Sequence, residues 1–269
     1  MNILCVGDCG VDIYLPELER RPGGITLNVA LAARRWFPAT DRIHIAAPLG
    51  TDEAADIVRA RLAGSGITTE FLLRTGATPI QEIEVDEAGE RHFRGYHVGV
   101  LRDYRAADID SGLLASADLL ITPVFEQNRD SFLSVIRADT SATRAVDFAD
   151  FAVHQDFAFL ESVIDRVDVG FFALSPEQDE VIAQLGTMAS AHRGTFVVTL
   201  GAHGSLAFDG AQVWRCQARP VSKVVDTTGA GDAFTAGFLA RYLYGRDSQA
   251  ALVSATNAAC EALARKGGN

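Results

Sequence analysis

Apolar residues along the chain alternate between short β-branched runs and longer stretches with helical spacing. The short runs predict strands that are apolar on both faces, as expected of strands covered by helices on each side. They lie at residues 3–7, 43–49, 119–124, 145–148, 169–174 and 195–200. Helical spacing predicts helices at residues 25–37, 54–63, 129–137, 176–192, 232–243 and 249–265. This alternation predicts a three-layer α/β/α fold with a mostly parallel central sheet.

Two segments break the alternation. Residues 81–100 switch between polar and apolar positions and carry a turn signal at Glu87-Ala88-Gly89, which predicts a hairpin exposed on one face. Residues 11–21 form a short, polar, extended piece. Together they predict a small β lid over one end of the sheet, with an ordinary surface hairpin as the alternative. Repeats and linkers are absent from the sequence, so we expect one domain over residues 1–269.

Charge and composition exclude several classes of function. The 269 residues include 24 basic and 35 acidic side chains, a net charge of −11, which argues against binding of nucleic acid. No apolar run reaches the roughly 18 residues of a membrane helix, so no membrane association is expected. The first residues do not resemble a signal peptide, and four scattered cysteines do not suggest a disulfide framework. A cytoplasmic protein that acts on small molecules is the expectation.

The most informative stretch is a glycine-rich turn within residues 224–243, VVDTTGAGDAFTAGFLARYL. A β-branched run ends at Val225, and a helix is predicted to begin near Asp232. Between them, Gly229, Ala230 and Gly231 carry little or no side chain. Backbone N–H groups at such a strand-to-helix turn point outward, and the helix dipole adds positive potential. The turn therefore predicts a site for phosphate or another oxyanion, with Asp232 beside it.

Four interpretations of this turn can be compared. Asp232 could simply stabilise the helix N-terminus. A dinucleotide-binding fingerprint lacks its third glycine here and comes late in the chain. A P-loop is excluded, because the two lysines, Lys223 and Lys266, are not followed by Ser or Thr. Phosphoryl transfer to an alcohol fits the remaining pattern, with Asp232 accepting the hydroxyl proton and the amides stabilising the transferred charge.

Two motifs resemble a known family. The stretch DTTGAGDAFTAGFL closely resembles the C-terminal signature of the ribokinase-like (PfkB-type) carbohydrate kinases. The stretch PGGITLNVA at residues 22–30 is similar to the Gly-Gly-x-x-x-Asn motif of the same family. The resemblance extends over essentially the whole chain, and it implies a three-layer ribokinase-like core with a small β lid.

The resemblance also implies roles for individual residues. Asp232 resembles the catalytic base, and Gly229, Ala230 and Gly231 resemble the anion hole. The positions that resemble the sugar-binding floor are Asp12, Gly23, Gly24 and Asn28.

Further positions resemble the nucleotide and cation sites. Those that resemble the ATP site are Thr199, Gly201, Gly204 and Asn257. Asp226 and Thr228 resemble residues near a site for a monovalent cation, K⁺, in several relatives. Mg²⁺ is expected with ATP, but the Asn-x-x-Glu motif of the family is not at its usual spacing here. Glu177 is a candidate for the magnesium-organising residue, with a solvated carboxylate as the alternative.

The spacing of the motifs points to a substrate branch. The short gap between Asp12 and Gly23-Gly24 resembles the fructoselysine 6-kinase branch, as do residues 94–104 and 209–214. That resemblance implies a fructosamine, a ketose joined to an amino acid. Its carboxylate could meet basic residues of the lid, and its amine could meet an acidic residue. The candidates are Arg91, Arg94 and His97 for the carboxylate, and Asp147 and Asp150 for the amine.

The sequence as a whole is thus typical of an ATP-dependent kinase that phosphorylates a primary hydroxyl of a sugar or fructosamine. A fructokinase or ribokinase acting on a neutral sugar is the nearest alternative, followed by a nucleoside kinase. From another class, a catalytically silent metabolite-binding sensor would not need Asp232. The family resemblance also implies a homodimer formed through the β lid.

Overall fold

The strands of the computed structural model lie in two sheets within the residues that it describes, which are 1–85, 91–192, 194–221 and 224–264. In chain order the strands are β1 (Asn2–Val6), β2 (Gly10–Leu15), β3 (Glu19–Gly23), β4 (Arg42–Leu49), β5 (Thr68–Leu73), β6 (Ile80–Val85), β7 (Arg91–His97), β8 (Leu119–Val124), β9 (Thr143–Phe148), β10 (Val169–Ala173), β11 (Thr195–Thr199), β12 (Ser205–Asp209) and β13 (Gln212–Cys216).

The helices of the described residues fall mostly between strands of the larger sheet. They are α1 (Ile25–Trp36), α2 (Glu53–Leu62), α3 (Ser111–Ser116), α4 (Arg129–Ile136), α5 (Phe151–His154), α6 (Phe157–Val163), α7 (Asp179–His192), α8 (Ala230–Gly245) and α9 (Ser248–Leu263). Among them, no helix is long and apolar enough to cross a membrane.

The larger sheet has the strand order β13-β12-β11-β10-β9-β8-β1-β4-β5. All neighbours from β11 to β5 pair in parallel, and β12 and β13 extend the β11 edge as an antiparallel hairpin. Ile3 in β1 pairs with Ile43 on one side and with Leu119 on the other. The prediction of a mostly parallel central sheet is confirmed.

Both faces of the central sheet are covered. Ile3 and Cys5 of β1 face a core that includes Phe238 of α8, whereas Leu4 and Val6 face a second core. Because alternate residues of a strand point to opposite faces, β1 is buried on both sides. The three-layer α/β/α architecture predicted from the sequence is therefore confirmed.

The two segments that break the alternation form a smaller sheet together, with the order β3-β2-β6-β7. β2 pairs in parallel with β6, so Asp12 lies opposite Gln81, and the other two pairings are antiparallel. Tyr96 of β7 packs edge-on against Phe125, which directly follows β8, with ring centroids 5.0 Å apart. This contact brings the smaller sheet to the carboxyl end of the larger one. The turn predicted at residues 87–89 lies outside the described residues.

Several boundaries differ from the predicted ones. Helix α7 begins at Asp179 rather than at residue 176, because the Gln178 side chain accepts a 2.9 Å hydrogen bond from the Ser175 amide and closes a turn there. Helix α8 begins two residues earlier than predicted, at Ala230. The sequence analysis did not identify β5, the β12–β13 hairpin or the short helices α3, α5 and α6. The end predicted for the last helix, residue 265, lies outside the described residues.

Candidate active site

Polar side chains converge at the carboxyl end of the central sheet. Asp8 follows β1, Asp147 lies near the end of β9, and Thr199 ends β11. The glycine turn at the start of α8 belongs to the same edge, since Asp147 and Asp8 both influence the ionisation of Asp232. Ligands of parallel α/β sheets bind at this edge, outside the carboxyl ends of the strands.

Asp232 is held by a side chain from the first helix. Asn28, buried on α1, donates a hydrogen bond from Nδ2 to Oδ2 of Asp232 over 2.9 Å. The pKa of Asp232 is nevertheless raised well above its ordinary value, first by desolvation and then by the negative charge of Asp147, while the Asn28 hydrogen bond opposes the rise. A partly exposed carboxyl group with a raised pKa is suited to accept a proton near neutral pH.

Three further carboxyl groups share this site. Burial raises the pKa of Asp147 to about 7, and the charge of Asp8 adds to the rise. Burial also raises the pKa of Asp8 to about 6, although hydrogen bonds from Thr26 and Ile25 favour its charged form. Asp12 is buried on β2, and its charge contributes to the raised pKa of Asp232. Concentrated negative charge of this kind favours a ligand that brings a positive group.

Asp8 was not identified from the sequence, and it organises the start of α1. Its carboxylate accepts hydrogen bonds from the amides of Ile25 (3.0 Å) and Thr26 (3.2 Å), and from the Thr26 hydroxyl (3.2 Å). Gly24, at φ +102°, allows the approach, because a Cβ there would lie 2.8 Å from the Asp8 carbonyl oxygen. Asp8 thereby fixes the helix that carries Asn28.

Gly23 makes room for a neighbouring carboxyl group. A Cβ at Gly23 would lie only 2.3 Å from Oδ1 of Asp12, far closer than such atoms can approach. The pairing of β2 with β3 places the two residues together, since Gly10 lies opposite Gly23 at the same end of the strands. Each glycine of the pair therefore leaves space for an aspartate, Gly23 for Asp12 and Gly24 for Asp8.

The glycine turn leaves the start of α8 open. Gly229 adopts the left-handed conformation (φ +73°) and caps the helix without any side-chain hydrogen bond. Ala230 and Gly231 follow in the first turn, where amides have no acceptor within the helix. Gly231 is exposed, and a Cβ built there would have no atom within 4 Å. The Ala230 amide donates a 3.3 Å hydrogen bond to the Thr227 carbonyl. Open space beside Gly231 at a helix N-terminus fits the oxyanion site predicted from the sequence.

The residues that resemble a monovalent-cation site already have partners. Oδ1 of Asp226 accepts hydrogen bonds from the amide (2.9 Å) and the hydroxyl (2.8 Å) of Thr228. The Arg21 guanidinium lies 3.6 Å from Oδ2 of Asp226, and the hydroxyl of Tyr14 lies 2.9 Å from that of Thr228. Since a guanidinium supplies the positive charge at Asp226, this arrangement does not fit a potassium ion there, and no step is derived through one.

The predicted nucleotide-binding residues lie around the end of β11. Gly201 (φ +55°) is exposed with open space around it, whereas Gly204 (φ +95°) is packed so closely that a Cβ would lie 2.3 Å from the Cys216 carbonyl oxygen. Thr199 ends β11, and its partner in the hairpin is Ser205. Asn257, on α9, accepts a hydrogen bond from Arg219. Contact of these residues with ATP stays a prediction.

The basic residues of the smaller sheet are engaged with acidic neighbours. Arg94 pairs with Glu84 on the adjacent strand, and Nε2 of His97 lies 3.3 Å from Glu82. The side chain of Arg91 lies outside what the structure describes. Asp150 accepts a hydrogen bond from the Glu126 amide (2.7 Å) and lies 3.4 Å from His154. Substrate contacts of Arg94 and its neighbours stay predictions, whereas Asp147 lies within the cluster around Asp232.

Of two residues that the sequence analysis missed near the site, Asp8 carried a usable sequence signal and Tyr96 did not. Asp8 directly follows a predicted strand, where side chains of a parallel sheet reach the functional edge. Tyr96 lies in the second half of the predicted hairpin and near the end of β7, where an aromatic residue is more often a packing residue. Its hydroxyl is buried without a hydrogen-bond partner in the described part of the chain.

Comparison with known proteins defines the class of enzyme. The model of the pfkB family of carbohydrate kinases matches residues 2–140 and 168–269. The chain therefore belongs to this family, and it is an ATP-dependent carbohydrate kinase with a ribokinase-like fold. The ribokinase of Cryptococcus neoformans var. grubii serotype A, solved in complex with ADP, has a TM-score of 0.78 at 21% identity, over 99% of this chain and 94% of that one.

Two relatives are named for fructosamine substrates. The chain is 31% identical to the fructoselysine 6-kinase of Escherichia coli (strain K12) over 265 residues, 97% of each protein. It is 28% identical to the fructosamine kinase FrlD of Bacillus subtilis (strain 168), over 97% of this chain and 90% of the relative. Likeness to both relatives confirms the family resemblance found in the motifs.

Proposed function

We propose that this kinase phosphorylates the primary hydroxyl of a ketosamine, a ketose joined through an amine to an amino acid. The observation that carries the proposal is the convergence of the carboxyl groups of Asp8, Asp12, Asp147 and Asp232, with raised pKa values for Asp8, Asp147 and Asp232. A protonated secondary amine offsets this charge, whereas a neutral sugar does not. The names of the two relatives above point to the same substrate class.

The chain's own residues account for the chemistry. Asn28 orients the Asp232 carboxylate, which takes the proton from the acceptor hydroxyl as its oxygen bonds to the γ-phosphorus of ATP. The bond from that phosphorus to the bridging oxygen breaks, and ADP leaves with the electron pair. The amides from Gly229 to Asp232 face the charge that develops on the transferred group. The nucleotide itself is proposed to lie along Thr199, Gly201, Gly204 and Asn257.

Magnesium has no preformed cage in the described part of the chain. No group of three or more suitable side chains is present there, and the carboxylate of Glu177 bonds to the Ser175 hydroxyl. Magnesium retains waters and binds phosphates readily, so it is proposed to arrive with ATP. When bound, it neutralises phosphate charge, and none of the steps assigned to Asp232 or Asn28 depends on its position.

The smaller sheet is proposed to act as a lid and as a dimer surface. It supplies Asp12 to the site, and it exposes two large apolar side chains, Leu18 on the β2–β3 turn (63% exposed) and Phe93 on β7 (71% exposed). Exposed apolar groups at such a sheet gain from being covered by a second subunit. Analytical ultracentrifugation tests the proposal, since Phe93→Ser is expected to weaken a dimer, and a monomeric native protein would contradict it.

ADP release across a panel of acceptors tests the proposed substrate. The panel contains fructoselysine, fructose, ribose, adenosine and a blank without acceptor, each with Mg-ATP. We expect turnover with the ketosamine at a much higher kcat/KM than with fructose. A preference for fructose or ribose would replace the ketosamine by a neutral sugar, and ATP binding without turnover of any acceptor would favour a metabolite sensor.

The dependence of KM on pH gives a second, independent measure. The amine of a ketosamine pairs with ionised Asp147, whose pKa is about 7. As pH falls through that value the carboxylate is lost, so KM for the ketosamine is expected to rise. A neutral sugar has no charged group that pairs with Asp147, so its KM is expected to stay nearly constant over the same pH range. Parallel changes for both acceptors would remove Asp147 as the partner of the amine.

A further inference from the structure

A cavity of about 560 Å³ opens beside the acceptor site, between the end of β7 and the short turn that follows β8. Such a volume lies within the range of roughly 300–1,000 Å³ that small-molecule sites occupy. The residues that bear on its chemistry are Tyr96, His97, Gly99, Arg102, Glu126 and Gln127.

Tyr96 joins this cavity to the acidic floor of the active site. Its side chain lines the cavity, while its hydroxyl is buried and has no hydrogen-bond partner among residues 1–85, 91–192, 194–221 and 224–264. Burial, followed by the charges of Asp8, Cys9 and Asp12, raises the pKa of Tyr96 well above its ordinary value. A buried hydroxyl without a partner is unfavourable, and a hydrogen bond to a polar ligand atom would remove that cost.

The outer part of the cavity presents charges of both signs. Arg102 is exposed and has no carboxylate partner within the described residues, although arginines elsewhere in the chain are commonly paired. Glu126 is also exposed, and Nε2 of His154 lies 3.9 Å from its carboxylate. A separate cation and anion on one wall match a ligand that carries both an anionic and a cationic group.

We propose that this cavity is the subsite for the free amino-acid end of the ketosamine. Arg102 binds the α-carboxylate, Glu126 binds the α-ammonium group, and the Tyr96 hydroxyl bonds to the polar part of the substrate where it leaves the sugar floor. The inference rests on the proposed function, since a neutral monosaccharide would leave the cavity empty. It assigns selectivity for the tail to residues outside the phosphoryl-transfer site.

Four fructose conjugates with tails of similar length test the assignment. Lysine joined through its side-chain amine offers both charges, aminohexanoate offers the carboxylate alone, cadaverine offers the ammonium group alone, and pentylamine offers neither. Values of kcat/KM are measured for the wild type and for Arg102→Gln, Glu126→Gln and Tyr96→Phe. The matched control is Arg166→Gln, because Arg166 is an exposed arginine before β10, at the amino end of the parallel strands, whereas the cavity lies at their carboxyl end.

Selective losses are expected. Arg102→Gln should lower kcat/KM about tenfold for the lysine and aminohexanoate conjugates and leave the other two unchanged, the effect of one charge-assisted bond open to water. Glu126→Gln should do the same for the lysine and cadaverine conjugates. Tyr96→Phe should lower kcat/KM for all four conjugates, because its partner lies in the part that they share. Arg166→Gln should change none of them.

The failures of the two proposals are distinguishable. If the wild type uses all four conjugates with equal efficiency and neither charge variant is selective, the tail subsite is wrong while the ketosamine kinase remains. If the wild type uses none of the conjugates but phosphorylates fructose or ribose, both proposals are wrong. A uniform loss for every conjugate in the Arg102 variant would indicate a general structural defect and would also overturn the assignment.

Discussion

Replacing Asn28 by alanine removes a side-chain hydrogen bond to Asp232, and this tests what sets the pKa of the catalytic base. The 2.9 Å bond from Nδ2 stabilises the carboxylate form of Asp232, so its loss raises a pKa that desolvation and Asp147 already raise. A hydrogen bond to a charged group contributes about 1.5–3 kcal/mol, and about 1.4 kcal/mol corresponds to one pKa unit. Because Asp232 is partly exposed, we expect the lower part of that range, a shift of about one unit.

The assay is kcat/KM for the acceptor as a function of pH. Asp232 accepts a proton only when ionised, so activity is present above its pKa and is lost as pH falls through it. In Asn28→Ala the acidic limb should lie about one unit higher than in the wild type. At a fixed pH on that limb, kcat/KM of the variant should therefore be about tenfold lower than that of the wild type. An acidic limb at the wild-type position would refute the role of Asn28 in tuning the base.

Asp147→Asn is the matched control, because its effect has the opposite sign. The negative charge of Asp147 raises the pKa of Asp232, so its removal should move the acidic limb to lower pH. Loss of folded protein lowers the whole profile without moving its limb, and therefore cannot produce opposite shifts in two variants. Limbs that move in the same direction would contradict the charge coupling described here.

Substitutions at three other positions test separate parts of the site. Asp232→Asn should lower kcat by at least about 100-fold and leave ATP affinity nearly unchanged, the usual scale for loss of a general base; nearly normal turnover would remove Asp232 from that role. Gly231→Ala, and more strongly Gly231→Val, should weaken ATP binding by calorimetry without lowering the melting temperature, because the added atoms enter open space. Gly23→Ala should raise KM for the acceptor, since its Cβ would displace the Asp12 carboxylate; an unchanged KM would separate Asp12 from the acceptor.

The core of the fold could be predicted because its strands are buried on both faces. A run such as Ile3–Val6, apolar at every position, has few alternatives once helical stretches follow it at regular intervals. Two of the strands that were missed, β5 and β13, form the edges of the larger sheet. β5 is half-buried or exposed throughout, and β13 is mostly exposed, so neither carries the apolar run that identifies a central strand.

The helix boundaries depend on local hydrogen bonds and turn conformations, which the spacing of apolar residues does not reveal. Helix α7 begins after a turn closed by the Gln178 side chain, and helix α8 begins at the glycine turn itself because Gly229 takes the left-handed conformation. The start of each helix is thus set by a single residue, by the side chain of Gln178 in α7 and by the lack of a side chain at Gly229 in α8. Apolar spacing averages over such details, and it locates a helix better than it locates its end.

The sequence predicts the motifs of the site, but it does not predict that several carboxyl groups gather there. Asp232 and Gly229 belong to a stretch whose residue types suggest their chemistry, whereas Asn28 was identified by the resemblance of its stretch to a family motif. Asp8 and Asp147 come from strands separated by more than a hundred residues, and only the parallel pairing of β1, β8 and β9 brings their ends together. The raised pKa values follow from that assembly and from burial, neither of which is local in the sequence.

The carboxyl cluster ties the strength of the base to the choice of acceptor. The charge of Asp147 that raises the pKa of Asp232 is also the charge proposed to attract the amine of a ketosamine. Asp147→Asn should therefore affect two acceptors differently at pH values above about 7, where the Asp147 carboxylate of the wild type is ionised. Phosphorylation of fructose should become faster because more Asp232 is ionised, and kcat/KM for fructoselysine should fall relative to it as its ionic partner is lost. If both acceptors respond equally, the amine is bound elsewhere, and Asp147 acts only through the base.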